Sequence, residues 1–439
     1  MRYRRTIFVI LFILSLTYLL LRIFEKEDKV KINLDKPIKS ESYKILNEDN
    51  DTNLLSIDNF ISRFIRREGL KGGASVAISK DGKLVYAKGY GYSNIEDTTV
   101  LQPYNTMRIA SVSKLVTAVA VFKLIEDGKL GLHQNVFGVN GILNDSIYLH
   151  YKDSRMDSVT VYRLLNHSAG WTARWGDPMF MPHAIARQMN YSLPISMKDI
   201  IVFMHNRWMH FTPGTSSVYS NFGYGILGEV VSKVSGQPYE EYVKSNILSP
   251  LGIYDMSIGF SDKDKRLKNE VYYYEADSSH TAFDYRTDEK DSVRVRRAYG
   301  GTDIQTLGSA GGWVASATDL LKLVLVIDGF DNVHDILNKK HIEIMTTSEK
   351  GFDPLGWRYV HDNNWYRSGT LAATSAMVSR RSDGVCYVVL FNSANHRGPD
   401  LSTLIRVNID KIIDNINHWP KTDLLEKDTL WQRYNANNF

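Results

Sequence analysis

Two hairpin patterns stand far apart in this 439-residue chain with helical patterns between them, and that ordering constrains the architecture more than any other feature. Nearer the start, Ala74 to Ser79 and Leu84 to Ala87 read as strands flanking Lys80-Asp81-Gly82-Lys83, whose Asp-Gly step supplies the positive φ that a tight hairpin needs. Towards the end, Thr374 to Ser379 and Val385 to Asn392 are strand runs joined by Arg380-Arg381-Ser382-Asp383-Gly384. Strands from both ends bury their apolar faces by meeting in one sheet that the intervening helices cover. The expected class is therefore α+β: an antiparallel β-sheet flanked by helices, with a mostly helical subdomain inserted over about residues 130–300. A hydrophobic content of 43% is enough for a large core.

Helical periodicity fills in the rest. Ile57, Phe60, Ile61, Phe64 and Ile65 make one apolar face, and Val112, Leu115, Val116, Val119 and Phe122 make the buried side of an amphipathic helix from about Ser111 to Glu126. A last helix covers roughly Leu401 to Ile416, and the charge- and tyrosine-dense stretch from Ser261 to Arg297 reads as an irregular surface insertion. The single cysteine, Cys386, lies in an apolar strand run and reads as a buried small hydrophobe.

The amino terminus has Arg2, Arg4 and Arg5 before an uncharged stretch from Thr6 to Leu21. This is the pattern of an export segment, read as an uncleaved membrane anchor over residues 1–24 with its basic end inside; a cleaved signal peptide is the alternative. Residues 25–53 are rich in Lys, Asp, Glu and Asn and read as a flexible polar tether, followed by a catalytic domain over 54–420 and a carboxy-terminal tail over 421–439. Either fate of the leader puts that domain outside the cytoplasm, in the periplasm or the extracellular space.

A formal charge of +4 from 53 basic and 49 acidic residues is too balanced for a surface built to hold nucleic acid, so a small-molecule or peptide substrate is expected. None of the 12 histidines falls in a close ligand cluster and no Gly-rich phosphate loop follows a strand, so neither metal nor cofactor is expected. The oligomeric state is not legible.

Chemistry enters at Ser111-Val112-Ser113-Lys114. On a helix, positions i and i+3 share a face with Cβ atoms roughly 5–6 Å apart, so the Ser111 hydroxyl and the Lys114 amine can meet. A hydroxyl is a poor nucleophile at neutral pH, and an amine desolvated beside it can accept its proton. A serine at a helix amino end also has a backbone N–H and the positive dipole end available for a developing oxyanion.

With its setting, Met107 to Ala110 before it and a long apolar helix after it, this motif resembles the serine β-lactamase and penicillin-binding-protein superfamily over about residues 55–415. The resemblance implies a tyrosine-x-asparagine element, and Tyr219-Ser220-Asn221 stands at suitable spacing; Tyr219 would exchange the proton with Lys114, and Asn221 would hold Lys114 and a substrate carbonyl. It also implies a basic-small-glycine triplet on a strand beside the nucleophile, met by Arg367-Ser368-Gly369-Thr370. There Gly369 would allow close approach, Thr370 N–H would be a second oxyanion donor, and Arg367, where lysine or histidine is usual, would grip a substrate carboxylate. Leu164 to Trp171 and Ala310 to Ser316 support the fold.

The tyrosine-centred site is similar to the class C β-lactamase, D,D-peptidase and esterase branch. The implied activity is that of a serine hydrolase forming an acyl-enzyme on Ser111 from an amide or ester: an esterase, a D-aminopeptidase or D,D-carboxypeptidase, or a β-lactamase. The rival is a catalytically silent relative that binds peptides or acts as a sensor or scaffold. Convergence of Ser111, Lys114 and Tyr219 in one cleft is the expectation on which the rest depends.

Overall fold

Both hairpins join a single sheet. The structure, a computed structural model, describes residues 42–47, 54–277, 279–288 and 293–437. Its strands are β1 (Gly73–Lys80), β2 (Lys83–Asn94), β3 (Thr99–Val100), β4 (Met107–Arg108), β5 (Ser257–Ile258), β6 (Thr281–Phe283), β7 (Arg294–Arg296), β8 (Trp313–Ala315), β9 (Tyr359–His361), β10 (Asn364–Leu371), β11 (Thr374–Arg380) and β12 (Val385–Phe391). Seven of them form one sheet in the order β3-β2-β1-β12-β11-β10-β9. The antiparallel register of Ala74 with Phe391 through Lys80 with Val385 closes the amino-terminal hairpin onto the carboxy-terminal one. Asp81 and Gly82, both at positive φ, turn β1 into β2 as the Asp-Gly signal requires.

Alternation along the central strands sends side chains to two cores. Val76, Ile78, Tyr387 and Val389 face α1 (Leu55–Arg67) and α5 (Asp400–Ile413), meeting Ile57, Ile61, Phe64, Ile405 and Ile409. Ala77, Val378, Val388 and Leu390 face the other way, into a larger core built around α2 (Ser113–Glu126), α3 (Asn221–Ser235) and α4 (Ala317–Leu325). The inserted helices have no core of their own: Ile200, Leu227 and Leu248 belong to the same cluster as Leu115 and Val388.

Three expectations change. The helix after Ser111 is not amphipathic, because Ser113, Lys114, Thr117, Ala118, Ala120 and Val121 are buried along with the apolar face. It runs through the middle of the domain, and its polar groups find internal partners: Thr117 Oγ1 donates to Ser309 O at 2.6 Å and Ser113 Oγ accepts from Trp313 N at 3.1 Å. Second, Ser42–Asn47 is fastened to the domain rather than part of a free tether. Ser42 Oγ accepts from Tyr254 N, Ile45 is buried, and Asn47 bonds with Gly89 and Leu101 as an extra edge partner. Third, the stretch from Ser261 to Arg297 is only partly a surface excursion. The β6–β7 hairpin lies outside, but Tyr273 and Glu270 are buried around the Arg108 guanidinium, which stands 4.3 Å from the Tyr273 ring centre.

Nor is the carboxy terminus a loose tail. Leu425 and Trp431 are buried, α6 (Thr429–Asn437) follows, and the ammonium of Lys322 on α4 pairs with Asp428, both side chains being inaccessible. Residues 1–41 and 48–53, including the expected anchor, lie outside the described residues. Among the described residues no helix is long and apolar enough to cross a membrane.

Asp428→Ala leaves the buried Lys322 ammonium with only the Asp319 carboxylate, 4.0 Å away, and should lower the unfolding free energy by about 3 kcal/mol in urea titrations. A loss below about 1 kcal/mol would mean that residues 421–437 contribute little to the domain.

Candidate active site

A kink in the backbone presents the nucleophile. Ser111 lies in a 3-10 turn, Ala110–Val112, that leads into α2, and the buried Ala110 before it adopts φ 49°, a left-handed conformation uncommon for a residue with a side chain. The turn is over-determined from both sides: Thr374 Oγ1 donates to Arg108 O at 2.8 Å and Ile109 N donates to Trp313 O at 3.0 Å. Ala110 and Val112 are buried while Ser111 remains partly exposed, so the strain turns the hydroxyl outward into the cleft.

One turn further along α2, Lys114 reaches back. Its Nζ lies 3.3 Å from Ser111 Oγ, donates to Asn221 Oδ1 at 2.6 Å and donates to Ala310 O, using all three ammonium protons. The residue is wholly buried. Tyr219 completes the group, its hydroxyl 2.6 Å from Ser111 Oγ and 3.4 Å from Asn221 Oδ1. The three side chains converge as expected, with Asn221 bridging them.

The start of α3 sets Tyr219 and Asn221. Ser220 is the N-cap, its Oγ accepting from Gly223 N at 3.1 Å, so the residues on either side of it are held in fixed directions. Ser220 N in turn donates to His167 Nδ1 at 3.2 Å, and the buried His167 ring packs at a tilt against the Tyr219 ring, their centres 4.7 Å apart. The Leu164 to Trp171 stretch, read from sequence only as fold support, is thus the backing wall of the Tyr219 phenol. His167 itself carried no separate sequence signal, and neither did Asp177, whose Oδ2 accepts from Asn221 Nδ2 at 2.7 Å, nor the Ala310 carbonyl.

Strand β10 brings the last motif alongside. Its Gly369 is required by proximity: a Cβ there would stand 2.3 Å from Ile109 O and 2.8 Å from Ser111 N. Ser368 and Thr370 are half-buried on the same strand, in register with Met377 and Ser375, and among the described residues their side chains make no hydrogen bond to the Ser111 cluster. Arg367 departs from the expectation of a carboxylate grip. Its side chain is buried, with Nε donating to Ser111 O at 2.9 Å and Nη1 donating to Gly356 O at 3.0 Å, so it braces the nucleophile turn from behind.

That position gives it an electrostatic role. Burial pulls the Lys114 ammonium down to about 8, with the Arg367 charge acting in the same direction and the Tyr219 phenol opposing. Burial alone would push the Tyr219 phenol up, but the neighbouring Lys114 and Arg367 cations bring it below its ordinary value. Amine and phenol are therefore both held below their ordinary proton affinities while both touch the same hydroxyl. His167, desolvated and near the same cations, is held well below the usual imidazole range and stays neutral.

Comparison with known proteins agrees with this geometry. Residues 58–408 match the family described as Beta-lactamase. Protein flp of Staphylococcus aureus (strain N315) is 27% identical over 228 residues, which cover 50% of this chain and 41% of that relative, so the match spans less than half the relative's length. Among solved structures, the octameric penicillin-binding protein homologue from Pyrococcus abyssi has 26% identity and a TM-score of 0.62, covering 82% of this chain and 77% of that one. The D-amino acid amidase from Ochrobactrum anthropi SV3, at 18% identity and a TM-score of 0.62 over 83% of this chain and 97% of that one, shares the fold. From the sheet that closes Ser111 against Gly369 to the extent of the match, the chain belongs to the Beta-lactamase family.

Proposed function

We propose that this protein is a serine hydrolase that forms an acyl-enzyme on Ser111 from an amide or ester. The observation that carries this reading is the contact of one hydroxyl with two proton carriers, Tyr219 at 2.6 Å and Lys114 at 3.3 Å. Ser111 Oγ attacks the substrate carbonyl carbon as its proton passes to the Tyr219–Lys114 pair. Collapse of the tetrahedral intermediate expels the amine or alkoxide, which takes that proton back. Water then attacks the acyl-enzyme, gives its proton to the same pair, and Ser111 recovers one on leaving. The backbone N–H groups of Ser111 and Thr370, brought together by the Gly369 contact, would hold the oxyanion.

For the substrate, a small ester or a peptide amide is favoured over a β-lactam. Supporting this are Arg367 where the resemblance leads one to expect lysine, its burial against backbone carbonyls, and the lack of a separate glutamate motif to activate a deacylating water. The same reading takes the domain to be exported and held at a membrane by residues 1–24; its support is the basic Arg2, Arg4 and Arg5 before the uncharged run from Thr6 to Leu21.

Treatment of the protein with a fluorophosphonate probe should label Ser111, and Ser111→Ala should abolish labelling; undiminished labelling of that variant ends the proposal. Tyr219→Phe should slow labelling by about 10²–10⁴-fold, the usual worth of a positioned proton carrier.

Acceptor capacity in the pair appears only as it loses a proton, so the labelling rate should rise with pH and level off above about 8. Because Arg367 lowers both Lys114 and Tyr219, Arg367→Gln should move that limb to higher pH; a limb that stays in place or moves down would refute the electrostatic role.

An added methyl at position 369 collides with backbone, not with a side chain that could swing aside. Gly369→Ala should therefore slow labelling on the order of 10²-fold with folding intact by circular dichroism, and a change under about threefold would show that the strand need not approach so closely.

A further inference from the structure

The loop from Trp171 to Met181 brings a carboxylate to the reacting groups that neither the motifs nor the mechanism above uses. Trp171 anchors the loop by burying its ring 4.7 Å from that of Phe222 on α3. Asp177 then caps a short 3-10 turn, Pro178–Phe180, with Oδ1 accepting from Met179 N at 3.1 Å and Oδ2 accepting from Asn221 Nδ2 at 2.7 Å. The Asn221 amide is thereby fixed in one orientation, since only its oxygen can face the Lys114 ammonium and only its nitrogen can face a carboxylate.

Asp177 is half-buried and, among the described residues, pairs with no Lys, Arg or His side chain. Its charge is felt by Lys114, on the far side of the Asn221 amide. A carboxylate offers about four lone-pair sites, and two hydrogen bonds leave room for more. The other acid by the site, Asp353, is already bound by Arg358, whose guanidinium lies 5.5 Å from the Tyr219 ring centre. The cleft is thus polarised, with guanidinium charge against Tyr219 and an uncompensated carboxylate against Asn221. Exposed aromatic rings flank that carboxylate in sequence, Trp175 at 66% and Phe180 at 42% exposure, and aromatic faces also attract cations.

We infer that Asp177 is a specificity residue that receives a substrate ammonium, so that the preferred substrates are amino-acid-derived amides or esters with a free amine close to the scissile carbonyl. This rests on the acyl-transfer reading. Only one side-chain amide separates the carboxylate from the Lys114 ammonium that touches Ser111 Oγ, so a cation a few atoms from the attacked carbonyl comes within its reach. The ammonium would sit on the unused lone pairs, and blocking the amine would leave Asp177 facing a neutral amide.

The test compares alanine p-nitroanilide with N-acetylalanine p-nitroanilide, each as D and L forms, on the full chain and on Asp177→Asn and Asp177→Glu. The ratio of kcat/KM for the free amine over the acetylated compound should be on the order of 10- to 100-fold in the unsubstituted protein, the worth of a charge-assisted hydrogen bond. Asp177→Asn should bring the ratio close to one, although the substituted amide oxygen can still accept from Asn221; Asp177→Glu, which keeps the charge, should retain the preference.

If Asp177 only positions Asn221, both substrates slow together in Asp177→Asn and the ratio persists, which overturns the inference. An unsubstituted protein that treats both compounds alike, or favours the acetylated one, overturns it too. Where turnover is slow, protection of Ser111 from the fluorophosphonate probe by each compound gives the same comparison. Failure of the probe to label Ser111 at all would instead remove the hydrolase reading on which the inference stands.

Discussion

The structure is organised around one buried ammonium. Lys114 has no accessible surface, and an isolated charge in such a place is prohibitively costly unless its protons are bonded. Three acceptors meet it: the Ser111 hydroxyl one turn back, the Asn221 amide oxygen at the start of α3, and the Ala310 carbonyl in the turn before β8. These come from segments separated by 107 and 196 positions along the chain. Satisfying one cation therefore obliges three distant pieces of backbone to meet at one point, which is also the point where the Ser111 and Tyr219 hydroxyls meet. This explains why α2 is buried on nearly every side: a helix that delivers its second residue to such a junction has to run through the domain rather than along its surface.

The same junction carries an imbalance of charge. Lys114 and Arg367 approach Tyr219 together, and Arg367 is hydrogen-bonded by backbone carbonyls that leave its charge uncompensated. The two cations outweigh the apolar surroundings and favour the form of the phenol that bears negative charge, so the poor charge compensation appears as a more acidic tyrosine. Ala110, held in a left-handed conformation, is a second local cost beside the first. Neither would persist without the surrounding sheet and helices, whose cohesion exceeds both. The fold's stability and the site's reactivity are linked in this way: the core holds an arrangement that its own local preferences oppose.

Much of this was readable before any coordinates, for reasons that differ residue by residue. The Asp81-Gly82 turn was legible because positive φ selects those residue types over most others. Ser111 and Lys114 were legible because i,i+3 proximity follows from helix geometry alone. Tyr219 and the β10 triplet came through family resemblance, since nothing local in Tyr-Ser-Asn or Arg-Ser-Gly-Thr says what they touch. What escaped was set by tertiary partners. Periodicity assigned Thr117 and Ser113 to a solvent face, yet each finds a hydrogen bond inside the protein, so the pattern of polar residues did not report exposure. Arg367 reads as a substrate ligand because its donor fork suits a carboxylate, and its actual direction depends on the carbonyls of residues 356 and 357. The Lys322–Asp428 pair spans 106 positions and turned an apparent tail into part of the core, and Asp177 reaches Asn221 across 44.

Sheet closure and site assembly are also a single event. β1 pairs with β12, β12 with β11 and β11 with β10, so Gly369 can approach Ser111 only once the carboxy-terminal hairpin has docked on the amino-terminal one. Short β9 then pairs only with Asn364, Trp365 and Tyr366, leaving the outer edge of Arg367 to Leu371 without a strand neighbour among the described residues. An open edge of this kind is ordinarily a liability, because its unpaired N–H and C=O groups invite other chains. The Ile109–Ser111 turn packs on the face of this strand at Gly369, at a distance that leaves no space for even a methyl group. The strand therefore carries its contact with the Ser111 turn on its face, while the in-plane groups of Arg367 to Leu371 keep an edge without a strand partner among the described residues.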